Sequence, residues 1–284
     1  MQKASARLAT EAAPGNGRAR TRVVELRSGW PLMLRSTSPL APGPASDWVC
    51  RETEPAAVHL TAGAAGPLGG DRLRLEVRVG AGSALYLGEV SSTLLLPGPR
   101  GGESRLEIRI RVGAGAALAW LPEPAIAAEG CRHLTDVRIA LDPAARIVVR
   151  EEVLFGRHGE RPGAYRQRLR VLCGERPLYD QEFRAGPPAP GWDGPAVTGG
   201  LRTTGTLLVV DPAVRSGGAL AADLRGPEGA LMELPGRGAL FSALAPDTAA
   251  LRRRLDEAMA RLLGAPGGGE DGRFRGEIPQ DAVR

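Results

Sequence analysis

Arg78-Val79-Gly80-Ala81-Gly82-Ser83-Ala84-Leu85-Tyr86-Leu87 reappears 33 residues on as Arg111-Val112-Gly113-Ala114-Gly115-Ala116-Ala117-Leu118-Ala119-Trp120. A weaker third echo runs Ile139-Ala140-Leu141-Asp142-Pro143-Ala144-Ala145-Arg146-Ile147-Val148. Before the first copy, Leu73, Leu75, Val77 and Val79 alternate with Arg72, Arg74, Glu76 and Arg78. That period of two describes a strand with one buried and one wet face. Gly80-Ala81-Gly82 then turns the chain and Ala84 to Leu87 returns; glycine suits the turn because it adopts positive φ without steric cost. The second copy repeats the pattern with Leu106, Ile108, Ile110 and Val112, and the third replaces the glycines with Asp142-Pro143. The reading is a mainly β protein: repeated strand-turn-strand units in a layered or β-helix-like body. Such a body offers no obvious place for a conventional catalytic loop.

The flanks are assigned by the same signals. Residues 1–20 are rich in Ala, Arg and Gly and read as a flexible N-terminal tail. Val23, Val24 and Leu26 open the first strand, Pro39 to Ala45 is a proline loop, and Val58 to Leu60 is a short strand. Leu169 to Leu172 and Leu178 to Phe183 form a hairpin around Gly174-Glu175-Arg176. Gly186 to Gly200 is a Pro/Gly-rich loop, and Leu207 to Val210 is a short apolar strand. The period changes only near the end. Asp247 or Thr248 caps a short C-terminal helix whose Leu251, Leu255, Met259 and Leu262 share one face, and Gly264 stops it. One all-β domain therefore spans 21–263, and the Gly-rich, charged residues 264–284 read as a disordered tail.

Composition excludes several functions. The formal charge is +5, and among 37 cationic residues Lys3 is the only lysine. Arginines stand beside glutamates on the strands, a mixed solvated face unlike the one-signed patch with stacking aromatics of a nucleic-acid binder. Cys50, Cys131 and Cys173 are odd in number and far apart, which fits a reducing compartment and not a disulfide framework. No run approaches the ~18 apolar residues of a membrane span, and the N-terminus lacks a secretory core. A soluble, cytoplasmic protein is expected. No phosphate-binding GxxxxGK[ST], dinucleotide GxGxxG at a strand–helix junction, or GxSxG elbow is present. The three histidines, His59, His133 and His158, are not clustered as a zinc enzyme would have them. Cys131-x-His133 is the one close pair of soft ligands, and thiolate and imidazole both suit nickel, copper or zinc.

What remains is a series of turn motifs in fixed order. Gly66-Pro67-Leu68-Gly69-Gly70-Asp71 opens the repeat region, Trp120-Leu121-Pro122-Glu123-Pro124-Ala125-Ile126 closes the second unit, and Gly156-Arg157-His158-Gly159-Glu160 follows the third. Each can simply fix a strand entry, with Asp71 accepting backbone N–H groups. Alternatively Asp71, Glu123, Arg157 and Glu160 contact a partner.

In this order and spacing the three motifs resemble the urease accessory protein UreD (UreH) family, over roughly residues 60–185. The opening lacks the family's longer glycine spacing, and Ser91-Ser92-Thr93 is not followed by the family's Lys and Tyr, so the chain looks like a divergent member. The resemblance implies a mostly β, β-helix-like fold and a maturation chaperone, not an enzyme. It implies a scaffold between urease apoprotein and a complex of UreF- and UreG-type accessory proteins, with an internal passage for nickel. Nickel would be in transit and no cofactor tightly bound; Cys131 and His133 are possible transient contacts, and Glu76, Glu89, Glu107 and Asp136 could face the passage. The competing reading is an all-β enzyme or binding module with a shallow carbohydrate or small-molecule site, which requires paired carboxylates in a cleft.

Overall fold

The computed structural model describes residues 1–214, 224, 226, 228–236 and 238–264. Their repeat is built as a coil. β5 (Arg72–Val79) and β8 (Ser104–Val112) pair in parallel so that Arg78 and Val79 lie beside Arg111 and Val112. β6 (Ala84–Glu89) and β9 (Ala117–Leu121) pair with Ala84 beside Ala117, in a different sheet. The glycine turn therefore does not fold the chain back on its own strand; it carries it across to a second layer, and the 33-residue period is one circuit. The third echo stacks likewise: Leu141 of β11 (Arg132–Leu141) lies beside Val112, and Arg146 of β12 (Arg146–Phe155) beside Ala117.

Stacked turns explain their glycines. Gly82 and Gly115 have φ of 65° and 64°, and Gly82 N–H donates to the Ala114 carbonyl at 2.9 Å. A Cβ on Gly113 would stand 2.9 Å from the Ala81 nitrogen of the turn below. At the third turn the Asp142 carboxylate accepts from Ala144 N–H at 2.8 Å, a side-chain substitute for the glycine geometry.

Two sheets result. One has seven strands in the order β14-β13-β11-β8-β5-β1-β2, using β1 (Lys3–Ala13), β2 (Arg20–Arg27), β13 (Ala164–Cys173) and β14 (Arg176–Ala185). The other has ten. Its main path is β16-β17-β15-β12-β9-β6-β4-β3, with β3 (Leu32–Ser36), β4 (Ala56–Ala62), β15 (Thr203–Val210), β16 (Gly229–Leu234) and β17 (Gly238–Ala245). The short β7 (Thr93–Leu95) and β10 (Ala125–Ala127) pair off that path. Leu75, Val77, Ile110, Val137, Leu118 and Val149 are among the side chains that fill the space between the sheets.

The two sheets differ on their outer faces. β5 alternates buried and wet because the seven-stranded sheet faces water. β9 is buried throughout and β12 nearly so, because helices α1 (Pro44–Val49) and α2 (Thr248–Leu263) cover the ten-stranded sheet. Leu251, Leu255, Met259 and Leu262 of α2 pack on Leu207, Val209 and Phe241. Asp247 caps α2 by accepting from Ala250 N–H at 2.7 Å, and Gly264 ends it.

Residues 1–20 are not a tail. β1 inserts between β5 and β2, with Ala6 and Leu8 buried and Lys3, Ser5 and Arg7 outside. Its small residues gave little hydrophobic signal; parallel pairing with β5 supplies the backbone partners that make it a strand. Likewise Pro44 and Ala45 are not loop but the start of α1, whose Trp48 donates from Nε1 to Asp211 at 2.7 Å. The C-terminal segment read as disordered lies outside the described residues, apart from Gly264. β13 and β14 form the expected hairpin.

Candidate functional site

The ladder of the ten-stranded sheet breaks at Leu121-Pro122-Glu123-Pro124. β9 pairs with β12 as far as Trp120 beside Val149, and β10 resumes pairing at Ala125 beside Val153. On the other side, β6 pairs with β9 as far as Gly88 beside Leu121 and β7 resumes pairing at Thr93 beside Ala125. Proline has no N–H to give a ladder, so two prolines flanking Glu123 hold the strand off its neighbours. The break is a window bordered by Glu89, Pro122, Glu123, Arg150, Glu151 and Glu152.

Alternation along β12 sorts its charges. Ile147 and Val149 belong to the inter-sheet core and Val148 to the helix side, so Glu151 faces inward and Arg150 and Glu152 face α2. Inside, Glu151 lines a cavity of about 60 Å³ with Glu89, His133, Thr135, Tyr165 and Gln167. A second cavity of about 250 Å³ shares Glu151, Glu152 and Gln167 and extends past Tyr179, Gln181 and Thr206. The two make a run of polar side chains through an otherwise apolar interior. Desolvation pushes the Glu151 carboxyl up to about 7, although Gln167 hydrogen-bonds to its charged form. Glu89 is pushed up to about 8, chiefly by desolvation and also by the Glu123 charge, against hydrogen bonds from Glu123 N–H and Thr93. Both carboxyls can hold or release a proton near neutrality.

Outside the window, Arg252 of α2 reaches Glu152 at 2.7 Å and Glu123 at 3.1 Å. Arg150 reaches Glu152 at 3.0 Å and Asp256 at 2.9 Å.

The expected site residues take different places. Asp71 is 7% exposed and its oxygens accept from Gln2 N–H at 2.7 Å and Leu68 N–H at 3.1 Å, tying the opening loop to β1. Glu123 is at the window. Arg157 and Glu160 pair with each other, and Glu160 also accepts from the Arg157 and Glu129 N–H groups; these contacts draw its carboxyl down to about 2. Cys131 and His133 are both buried. His133 faces the inner cavity, but Ser104 holds its Nδ1 at 2.8 Å and Thr135 its Nε2 at 3.0 Å, and burial lowers it to about 3. Cys131 precedes the strand, packed with Leu95, Phe155 and Tyr165, and burial raises its thiol to about 11. Among the described residues no group of three or more His, Cys, Asp or Glu is arranged to hold a metal ion.

Of the acids read as facing a passage, Glu89 points between the sheets, lining the smaller cavity; Glu76, Glu107 and Asp136 do not. Alternation sends Leu75, Ile108 and Val137 inward and these three outward, onto the solvent face of the seven-stranded sheet. There Arg7 pairs with Glu76 at 3.2 Å, Arg74 and Arg109 with Glu107 at 2.8 and 2.6 Å, and Arg105 and Arg138 with Asp136 at 3.1 and 2.8 Å. Missing from that list were Glu151, Glu152 and Arg252. The signal for the first two was Arg150-Glu151-Glu152 in the middle of a strand whose flanking residues, Ile147 to Val149 and Val153 to Phe155, are apolar on both faces.

The structure defines the class: a coiled two-sheet β protein with two adjoining cavities that share Glu151, Glu152 and Gln167, beside a break in the helix-covered sheet. Family comparison is specific. The model of the UreD urease accessory protein family matches residues 2–271. Urease accessory protein UreD of Streptomyces avermitilis is 43% identical over 251 residues, covering 88% of this chain and 94% of that protein. UreD 3 of Streptomyces griseus is 42% identical over 265 residues, 92% and 97% of the two chains, and UreD of a Parafrankia strain is 38% identical over 270 residues, 88% and 86%. The chain belongs to the UreD family of urease accessory proteins, and with that its role lies in urease maturation. Its relatives are named as accessory proteins, and no helix among the described residues is long and apolar enough to cross a membrane.

Proposed function

We propose that this chain is a non-catalytic scaffold that delivers nickel to urease apoprotein, passing the ion between its two sheets, and that it works in the cytoplasm with UreF- and UreG-type partners. The observation that carries the reading is the pair of adjoining cavities that share the polar side chains of Glu151 and Gln167. A core of this size has no folding need for Glu89 and Glu151, since a buried carboxyl is costly unless well paired. Carboxyl groups that can release a proton near neutrality, with amide and hydroxyl oxygens beside them, bind a divalent cation without gripping it as thiolates would. His133 and Cys131 border this region, and both would have to give up existing contacts to serve as ligands.

The test is urease activation in cells whose own gene for this chain is deleted. Glu151→Gln together with Glu89→Gln is expected to leave the protein folded and still co-purifying with UreF, while urease accumulates with a lower nickel content. Full nickel loading by that variant would reject the passage. Failure of the unsubstituted chain to co-purify with UreF would reject the scaffold.

A further inference from the structure

We propose that Arg252 is a tethered cation closing the window in the ten-stranded sheet, and that a divalent cation crossing between the inter-sheet cavity and the helix face displaces it from Glu123 and Glu152. The proposal rests on the passage reading above and adds where the passage opens and what holds it shut.

Three observations support it. First, the window is a gap in strand pairing toward β12, where no backbone ladder pair is made between Trp120 and Ala125. Second, what spans it is a side chain: Arg252 sits between Glu152, whose side chain is fully buried, and Glu123, on the half-exposed rim. Third, its two contacts differ in kind: the guanidinium forks onto Glu123, Nη1 to Oε1 at 3.3 Å and Nη2 to Oε2 at 3.1 Å, whereas its contact with Glu152 is close but poorly aligned. Glu152 Oε1 lies 2.7 Å from Arg252 Nε and 3.0 Å from Arg150 Nε. Yet both Glu152 oxygens and both Nε atoms are buried without a hydrogen bond of acceptable geometry. A well-made arginine–carboxylate fork is directional and bidentate. Glu123 receives such a fork; at Glu152 the attraction is mostly Coulombic, and the desolvation cost of that buried carboxylate is incompletely offset.

The Glu152 contact is therefore the one more easily exchanged. A divalent cation brings twice the charge and coordinates oxygen without the angular demands of an N–H donor. Displaced Arg252 has somewhere to go: its side chain is 28% exposed, and Asp256 one turn on is exposed. The anchor for its return is α2 itself, whose Leu251 and Leu255 are fully buried. While Arg252 is in place it is shared by Glu123 and Glu152; once it moves, Glu123 is freed and Glu152 keeps only Arg150 as a cationic partner among the described residues.

The test uses the full-length chain and nickel(II) alone, followed by equilibrium dialysis, with circular dichroism to confirm the fold. Arg252→Gln is expected to bind nickel about tenfold more tightly than the parent or better. Adding Glu152→Gln should remove that gain, and Arg252→Lys should restore the parent affinity. The displacement is also readable without any substitution. In protein labelled with 15N-arginine, the Arg252 Nε–H resonance, assigned by its loss in Arg252→Lys, should shift or broaden on nickel addition. Arg252→Gln that is folded but binds nickel like the parent, or an Arg252 resonance indifferent to nickel, overturns the gate. If that happens while Glu89→Gln with Glu151→Gln still lowers urease loading, the passage stands and the gate alone falls. If the interior double variant has no effect, the passage falls and the gate with it.

Discussion

Arg252 on α2 and Glu152 on β12 meet at 2.7 Å on the helix-covered face of the ten-stranded sheet, beside the break at Pro122 and Pro124. The contact links three features that are far apart in the chain: a turn motif, a charged island in a buried strand, and a helix that packs from outside. Its position depends on how firmly α2 is seated.

Seating is therefore the first thing to perturb. Leu255 is fully buried against β15, and a Cβ on Gly205 would stand 2.8 Å from Leu255 Cδ1. Leu255→Ala should destabilise the fold by roughly 2–5 kcal/mol through lost contacts and a cavity. Gly205→Ala should also lower the melting temperature, by pushing the helix outward. Calorimetry of both variants checks this; unchanged melting would mean that α2 is not part of the cooperative unit.

The glycine turns separate two kinds of cost. Gly115 has positive φ and nothing within 4 Å of a would-be Cβ, so Gly115→Ala should cost about 1–2 kcal/mol from backbone strain alone. At Gly113 the added methyl would press on Ala81 of the turn below, and Gly113→Ala should destabilise more. Denaturant melts that rank the two in the opposite order would contradict the stacked-turn geometry.

Glu151 sets a pH dependence. Its carboxyl is raised to about 7 in the fold and is ordinary when unfolded, so between those values the native state binds the extra proton. Stability then falls as pH rises from the ordinary carboxylate range up to about 7 and is level above it. Glu151→Gln should flatten that slope and be more stable than the parent at pH 8. Nickel uptake by the parent should rise over the pH range in which Glu151 and then Glu89, at about 8, ionise. A pH-independent uptake would remove both carboxyls from the path.

Arg157 and Glu160 form an exposed clasp that also holds its own loop through backbone N–H groups. Arg157→Ala should leave the melting temperature essentially unchanged, because an exposed ion pair contributes little. Reduced co-purification with UreF in that variant would mark the loop as a partner contact; unaltered co-purification would make the clasp a loop fastener only.

Much of the architecture was legible. Leu73, Leu75, Val77 and Val79 announced a one-sided strand, and the face of Leu251, Leu255, Met259 and Leu262 announced the helix. β1 was not, because Ala4 and Ala6 are too small to write a clear alternation; its place comes from pairing with β5. Of the candidate passage acids, Glu89 alone lies inside. Glu76, Glu107 and Asp136 obey the same alternation as their neighbours, and that alternation sends them out into arginine partners.

By itself the sequence determined the rung: a 33-residue repeat that aligns Arg78 with Arg111 and Ala84 with Ala117, with glycines where stacked turns need them. The repeat could set that much because strand alternation and turn conformation are local properties, written within a few residues. Only the tertiary structure decided which acids are buried, that Pro122 and Pro124 open a window, and that Arg252 covers it. Period two distinguishes two faces of a strand but not which of them another layer will cover. An ion pair between β12 and a C-terminal helix follows from packing, and no local pattern in either segment encodes it.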